Sequence, residues 1–241
     1  MKQSKIFIIG LHKTGTTSLA YFFEKMGYLV TGPDTHLVAQ IENDNFKEVD
    51  RLLTTYDVFQ DDPWYMIYPY LYQKYPEARF ILLERNKLEW IKSVQRFYGE
   101  DNYNNAVRRK FYGSANTIQN EEAYLSKFTK HNEEVKDFFS NEDNFISISI
   151  ANDADVIKLQ KFLNKPIKFK SFPHKNKTPK TKSEKKNKQI IMLLKGGFGL
   201  KTFIKKELKA ILGYHNFIKL RTQIRFFNSK TRRFFLKLFS R

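Results

Sequence analysis

The chain has 241 residues, no cysteine and a formal net charge of +18. This length can bury one sizeable core together with an appendage. The lack of cysteine excludes disulfides, thiolate metal sites and a catalytic thiol. Residues 1–173 hold 23 basic and 23 acidic side chains, whereas residues 174–241 hold 20 basic and 2 acidic ones. The excess positive charge therefore lies in the C-terminal part of the chain, and the domain before it is neutral.

The first element is a strand that runs into a glycine-containing loop. Residues 5–9 are mostly apolar and predict a strand, and Gly10-Leu-His-Lys-Thr-Gly15 predicts a loop. Leu19, Phe22, Phe23 and Met26 then recur at helical spacing. Glycines allow a tight turn and a close approach to a ligand, and a helix N-terminus attracts anions. The order of strand, loop and helix predicts a phosphate-binding loop.

The loop departs from the pattern of nucleotide kinases, G-x-x-x-x-G-K-[ST]. Gly10 and Gly15 have the kinase spacing, but Thr16 stands in the lysine position and the only loop lysine is Lys13. A kinase also needs Mg²⁺, and we expect no metal-binding acid beside this loop. The loop suits an anion whose reactive group lies beside Lys13. A degenerate phosphate loop of another anion-binding protein is the alternative.

The segment from Gly10 to Leu19 resembles the 5′-phosphosulfate loop of sulfotransferases that use 3′-phosphoadenylyl sulfate (PAPS). That loop typically reads Pro-Lys-x-Gly-Thr-Thr, and here His12 replaces the usual proline. The resemblance implies that Lys13 contacts the bridging oxygen of the donor and stabilises the leaving phosphate. It also implies that the donor is bound by His12, Lys13, Thr14, Gly15, Thr16, Thr17 and Ser18.

The next segments supply two candidates for the general base that an acceptor hydroxyl needs. Short strands are predicted within residues 27–32 and 56–59, and helices over 36–53 and 64–75. Asp61 and Asp62 follow the strand at 56–59, and adjacent residues of a strand point to opposite sides. We therefore expect only one of them, Asp61, to face the site, with a turn or capping role as the alternative. His36 is the second candidate, and a solvated loop histidine is its alternative.

A second anion-binding motif follows the apolar strand predicted at residues 79–83. Arg85 ends this strand, and Ser93 lies eight positions later on a helix predicted at residues 87–98. The pair resembles the 3′-phosphate motif of the same sulfotransferases. Arginine offers a planar fork for phosphate and serine a hydroxyl donor. Taken alone, an arginine and a serine at this spacing favour an exposed helix face, and it is the preceding phosphate loop that favours a 3′-phosphate site.

The remaining elements complete an alternation of strands and helices. Residues 100–120 are polar and predict a surface insertion or lid, residues 121–140 a helix and residues 145–150 a strand. A last helix is predicted from Asp153, as its N-cap, to Leu163. This alternation predicts a three-layer α/β P-loop fold with a central parallel sheet. The segments 159–163 and 172–178 resemble a branch of carbohydrate sulfotransferases, which implies a place in the donor pocket for His174 or a structural hydrogen bond.

The charge distribution divides the chain into three parts. Residues 1–178 are predicted as a sulfotransferase-like PAPS-binding domain, 179–189 as a Lys-rich linker and 190–241 as a basic amphipathic helical tail. Such a tail suits an anionic membrane surface; packing on its own domain or binding an anionic polysaccharide acceptor are the alternatives. Nucleic acid is not expected, because no recognition motif accompanies the charge. With no signal peptide and no membrane-spanning run, we expect a cytoplasmic protein, peripheral at an inner membrane face if the tail binds lipid.

The sequence thus predicts a PAPS-dependent sulfotransferase that transfers the sulfuryl group to an acceptor hydroxyl of a carbohydrate or glycolipid. The other product would be 3′-phosphoadenosine 5′-phosphate, and no metal is predicted because no cluster has metal-ligand spacing. Two alternatives stay open. One is a P-loop nucleotide kinase, and the other is a non-catalytic, membrane-bound anion-binding module.

Overall fold

A computed structural model describes residues 4–99 and 106–173 of the chain. The predictions for His174, for the linker at 179–189 and for the tail at 190–241 lie outside these residues. None of the helices in the described ranges is long and apolar enough to cross a membrane.

A parallel sheet forms the centre of the described structure. Its order is β2-β3-β1-β4-β5, and every neighbouring pair is parallel. The strands are β1 (Ile6–Ile8), β2 (Val30–Thr31), β3 (Val58–Gln60), β4 (Arg79–Leu83) and β5 (Phe145–Ile148). The α-helices within the described ranges are α1 (Thr16–Lys25), α2 (Val38–Ile41), α3 (Lys47–Thr55), α4 (Tyr68–Lys74), α5 (Lys87–Tyr98), α6 (Ala106–Tyr112), α7 (Glu121–Phe138) and α8 (Asp153–Phe162). Two 3₁₀ turns cover Thr35–Leu37 and Trp64–Met66.

Helices cover both faces of the sheet, as a parallel sheet requires. Alternate strand residues enter two separate cores, because successive side chains of a strand point to opposite faces. One core joins Phe7, Phe59 and Phe80 to buried residues of α3, α5 and α7. The other joins Ile8, Ile81 and Ile148 to α1 and α8. The predicted three-layer α/β architecture with a central parallel sheet is confirmed.

Two of the predicted helices are interrupted. The helix expected over 36–53 is a 3₁₀ turn followed by α2 and α3. Asp44 between α2 and α3 has a positive φ of 53°, a left-handed conformation that stops a right-handed helix. The helix expected over 64–75 divides at Ile67, and Pro69 occupies the first turn of α4. Proline is tolerated in the first turn of a helix because the N–H groups of that turn have no acceptor within the helix.

The prediction of a surface insertion over 100–120 is wrong for much of this segment. Residues 106–112 form α6, and Val107, Tyr112 and Ala115 are buried. Tyr112 stacks on Tyr124 of α7 with 4.0 Å between ring centroids and 7° between planes. The polar composition of this segment predicted exposure, but its few apolar residues are the ones that pack into the protein. A smaller difference concerns α8, whose N-cap is Asn152 and not Asp153.

The sheet order places a site at the carboxyl edge of β1. The chain passes from β1 to β2 and β3 on one side, and then crosses to β4 on the other. Ligands of open α/β sheets bind where the strand order reverses in this way. The phosphate loop after β1 therefore lies between the ends of β3 and β4.

Candidate active site

Two glycines shape the phosphate loop, which connects β1 to α1. A Cβ added to Gly10 would lie 2.7 Å from the backbone nitrogen and oxygen of Leu83, at the end of β4. Gly15 has a φ of +119°, and a Cβ there would lie 2.3 Å from Cδ1 of Ile150. Both positions therefore require glycine, the first for close packing on β4 and the second for its backbone conformation as well.

The loop hydroxyls are partly occupied by the protein itself. Thr14 Oγ1 donates to the carbonyl of Leu11 at 2.6 Å, and Thr16 Oγ1 donates to Asp61 Oδ2 at 2.8 Å. Both threonines are buried, as is Ser18, whereas Thr17 is exposed. Helix α1 begins at Thr16, and the first N–H groups of a helix have no partner within it. An anion at this loop would therefore be bound chiefly by backbone N–H groups.

Helix α5 and the segment that connects it to β4 hold the backbone around Lys13. Arg85 Nη1 donates to the carbonyl of Lys13 at 2.9 Å, and Trp90 Nε1 donates to the carbonyl of His12 at 2.8 Å. The Lys13 ammonium lies 3.9 Å from the ring centroid of Phe97. Lys13 itself has a left-handed φ of 66°, which is uncommon for a non-glycine residue and recurs at functional sites.

The predicted Arg85 and Ser93 pair lies on the β4–α5 segment. Burial lowers the pKa of Arg85, as does the neighbouring charge of Arg96, whereas Glu89 acts in the opposite direction. A half-buried guanidinium beside another cation favours an incoming anion. Ser93 is buried on α5. Asn86 caps this helix by accepting from the N–H groups of Leu88 and Glu89.

The acid pair after β3 reaches the phosphate loop from the other side. Asp61 accepts from Thr16 through Oδ2 and from the N–H of Asp62 through Oδ1. Asp62 Oδ1 accepts from the Tyr65 hydroxyl at 2.8 Å and lies 3.5 Å from His12 Nδ1. The prediction that the two aspartates point to opposite sides is wrong, because both approach residues of the loop after β1. Asp61 has a φ of 68°, so the extended alternation of a strand does not apply to it.

Asp61 lies beside the loop, which is the position expected for the predicted base. Ile8 of β1 pairs in register with Gln60 of β3, so the residue after Gln60 lies beside the residues after Ile8. Burial raises the pKa of Asp61, and the charge of Asp62 raises it further, against the smaller lowering effects of His12 and Thr16. A carboxyl with a raised pKa beside an anion-binding loop has the properties of a proton acceptor.

The other predicted histidines differ in position. The His12 side chain is 1% exposed, and its neighbours are the aromatic rings of Tyr65, Trp90, Tyr98 and Tyr112. A donor could meet His12 through its backbone but not through this buried ring. His36 is exposed, and no hydrogen bond or ion pair among the described residues joins it to the loop. The pKa of Glu48 is lowered by Arg51 and, to a smaller extent, by His36. His174 lies outside the described residues.

Several contacts of the site have no signal in the sequence. Phe97 lies beside Lys13, the Tyr112 hydroxyl lies near His12, and Asp62 approaches His12. Each of these contacts joins residues that are 50 or more positions apart in the chain. The hydrogen bond from Trp90 to the loop has no local signal in the sequence either. The contacts of Phe97, Trp90 and Tyr112 depend on how α5 and α6 pack over the sheet, and that of Asp62 depends on the pairing of β3 with β1.

Comparison with known proteins identifies the family of this chain. A family model described as "Sulfotransferase domain" matches residues 5–181, which is more than half of the chain. The chain therefore belongs to the sulfotransferase domain family. A crystal structure of a sulfotransferase from Alicyclobacillus acidocaldarius aligns with 17% identity and a TM-score of 0.44, covering 88% of this chain and 99% of that one. A search of curated proteins found no match.

Proposed function

We propose that the protein transfers a sulfuryl group from PAPS to an acceptor hydroxyl. The observation that carries the proposal is the hydrogen bond from Arg85 to the Lys13 carbonyl. It joins the two segments that would bind the two phosphates of this donor, within a chain of the sulfotransferase family. Backbone N–H groups at the start of α1 would bind the 5′-phosphate, and Arg85 with Ser93 would bind the 3′-phosphate.

Transfer then needs positioning and charge stabilisation. The acceptor oxygen forms a bond to sulfur while the bond between sulfur and the bridging oxygen of the donor breaks. Lys13 would stabilise the negative charge that develops on that bridging oxygen. Asp61 would take the proton of the acceptor hydroxyl, because it lies beside the loop and its pKa is raised. His36 is the weaker candidate for the base, because it is exposed and no hydrogen bond or ion pair among the described residues joins it to the loop.

The test is calorimetric titration of 3′-phosphoadenosine 5′-phosphate, without Mg²⁺, into the full chain and into Arg85→Ala. We expect metal-free binding that weakens about 10- to 100-fold in the variant, because hydrogen bonds to charged groups contribute about 1.5–3 kcal/mol. Arg85→Lys serves as a matched variant that keeps the charge but not the planar fork, and it should fall between the two. Arg109→Ala, on α6, is the control for general loss of positive charge.

The same titration separates the proposal from its alternatives. Mg²⁺-dependent binding of ATP without binding of the bisphosphate would overturn it and favour a kinase. Binding of the bisphosphate with no transfer of labelled sulfate to any hydroxyl acceptor would favour a non-catalytic anion-binding module. An acceptor screen with labelled donor therefore follows the titration.

The nature of the acceptor and the cellular position are further parts of the proposal. A carbohydrate or glycolipid acceptor is supported by the resemblance to carbohydrate sulfotransferases. A cytoplasmic protein held at an anionic membrane is supported by the 20 basic residues within 174–241. Sedimentation with vesicles that contain phosphatidylserine tests the second point, and the same vesicles without anionic lipid are the control.

A further inference from the structure

Two carboxylates and a buried imidazole meet beside the phosphate loop. One ligand atom each of His12, Asp61 and Asp62 lie within 4.8 Å of one another. His12 belongs to the loop after β1, and the two aspartates follow the neighbouring strand β3. The proposed function uses Asp61 alone, so the convergence of all three side chains needs a separate explanation.

The acid pair places two carboxylates next to each other beside the phosphate loop. Asp62 is 8% exposed, and two partly buried carboxylates beside each other repel. The neighbouring loop is built for an anion, which increases the need for a positive charge at this place.

The His12 ring provides an independent observation. It is 1% exposed, and its Nδ1 atom is buried without a hydrogen-bond partner. Its other nitrogen, Nε2, lies 3.4 Å from the Tyr112 hydroxyl. The 3.5 Å from Nδ1 to Asp62 Oδ1 is long for a hydrogen bond. It fits two ligands of one metal ion, because ligands bound tetrahedrally at about 2.1 Å lie roughly 3.4 Å apart.

We propose that His12 Nδ1 and the carboxylates of Asp61 and Asp62 bind a divalent cation. Imidazole together with carboxylate suits Zn²⁺ or Mn²⁺ better than Ca²⁺ or Mg²⁺. The surrounding hydrogen bonds resemble those that orient metal ligands. Thr16 donates to Asp61, Tyr65 donates to Asp62, and the Tyr112 hydroxyl faces the far nitrogen of His12. Asp61 is the partly exposed member of the three and gives the cation its access from solvent.

The proposal of a cation site does not require that the proposed sulfuryl transfer is correct. The three side chains bind the cation whether the neighbouring loop accepts PAPS, another nucleotide or a different anion. A carboxylate oxygen that binds a cation does not accept a proton at the same time. Cation-bound and cation-free protein are therefore expected to differ in any reaction that uses Asp61 as a base.

The experiment is a titration of tag-free, chelator-treated full chain with Mn²⁺, followed by the electron paramagnetic resonance signal of free Mn²⁺. Zn²⁺ is added as a competitor. We expect one saturable site per chain from which Zn²⁺ displaces Mn²⁺. Asp62→Asn, which keeps the shape of the side chain, and His12→Gln should weaken binding more than about tenfold, and Thr16→Val about tenfold.

The controls are Asp153→Asn and His36→Gln, which remove an exposed acid and an exposed histidine elsewhere. They should bind Mn²⁺ as the unaltered chain does. Thermal unfolding of each variant shows whether it is folded, and Asp62→Asn decides the outcome where His12→Gln does not fold. Absence of a saturable site in the unaltered chain, or equal affinity in folded Asp62→Asn, overturns the proposal. Titration of 3′-phosphoadenosine 5′-phosphate in the same samples reports on the proposed function separately.

Discussion

The two strands that flank β1 bring different chemistry to the phosphate loop. From β4 and α5 come Arg85 and Phe97, a cation and an aromatic ring that contact the backbone and the ammonium of Lys13. From β3 come Asp61 and Asp62, which contact the Thr16 hydroxyl and the His12 ring. In the proposed function, anion binding and proton transfer would therefore lie on opposite sides of one loop.

Replacement of Lys13 by Met should have the largest effect, because in the proposed function this lysine stabilises the charge that develops on the leaving oxygen. We expect the rate of sulfate transfer to fall on the order of 10³-fold, since a preorganised charge at the leaving oxygen is a large part of catalysis. Affinity for 3′-phosphoadenosine 5′-phosphate should change much less. The measurement is transfer of labelled sulfate to the acceptor found by screening, alongside calorimetry. A variant that retains full transfer would remove Lys13 from the mechanism.

Replacement of Asp61 by Asn tests the β3 side alone. We expect transfer to fall on the order of 10²-fold with the bisphosphate still bound. In the unaltered chain the rate should rise with pH through the raised pKa of Asp61, because the base must be deprotonated. Asp62→Asn should move this rise to lower pH by removing the neighbouring charge. An unchanged pH profile in Asp62→Asn would contradict the role given to the acid pair.

The same aspartate should lower the stability of the fold. The pKa of Asp61 is higher in the folded than in the unfolded chain, so the folded state binds the proton more tightly. The contribution of Asp61 to stability is then most favourable at acidic pH and is lost as pH rises through the folded pKa. Asp61→Asn should therefore raise the melting temperature at pH 7 but not at pH 4. Asp153→Asn is the matched control, and a lower melting temperature for Asp61→Asn at pH 7 would argue against this sign.

Acid should destabilise the fold through His131, which lies on α7 and donates from Nε2 to the carbonyl of Ile9 at 2.8 Å. Burial lowers the pKa of His131 to about 4, below its unfolded value. Stability is therefore lost as pH falls from about 6.5 towards about 4, by roughly 2 kcal/mol at pH 5. His131→Gln can keep the hydrogen bond without titrating. Urea unfolding at pH 7 and pH 5 should show a smaller pH effect in this variant, and an equal effect would exclude His131 as the cause.

Replacement of Phe97 by Leu should have the smallest effect and refines the β4 side. A cation near an aromatic face gains about 0.5–1 kcal/mol at exposed sites, so we expect a two- to fivefold loss of transfer rate. Affinity for the bisphosphate should not change, because the ring contacts the ammonium and not the anion-binding groups. Steady-state kinetics with separate kcat and KM values measure this. A loss confined to KM would show that Phe97 contacts a substrate instead.

The sequence was sufficient for elements with a strong local pattern. The strand at 79–83 and the helix at 87–98 agree with β4 and α5 at both ends, because continuous apolar residues and helical spacing are local signals. The loop between β1 and α1 was also predicted, because its two glycines are visible in the sequence. Gly15 is required by its positive φ, and Gly10 by its close packing against Leu83. These elements placed Lys13 and Arg85 at the same edge of the sheet.

The acid side of the site depended on non-local structure. That Asp61 contacts Thr16 follows from the register of β3 with β1, which no local pattern reports. The positive φ of Asp61 then turned both carboxylates towards His12, against the expectation from strand alternation. The burial of α6 was missed for a similar reason, because its packing on α7 decides burial more than its polar composition does.

The hydrogen bond from Arg85 to the Lys13 carbonyl has a consequence for nucleotide selection. In the proposed function, this hydrogen bond would hold the two anion-binding segments at a fixed separation, because β1 and β4 are neighbouring strands. A nucleotide with phosphates at both the 3′ and 5′ positions would span this separation. One that lacks the 3′-phosphate would leave a half-buried guanidinium without an anion. Discrimination against adenosine 5′-phosphates would then follow from the rigidity of two adjacent strands.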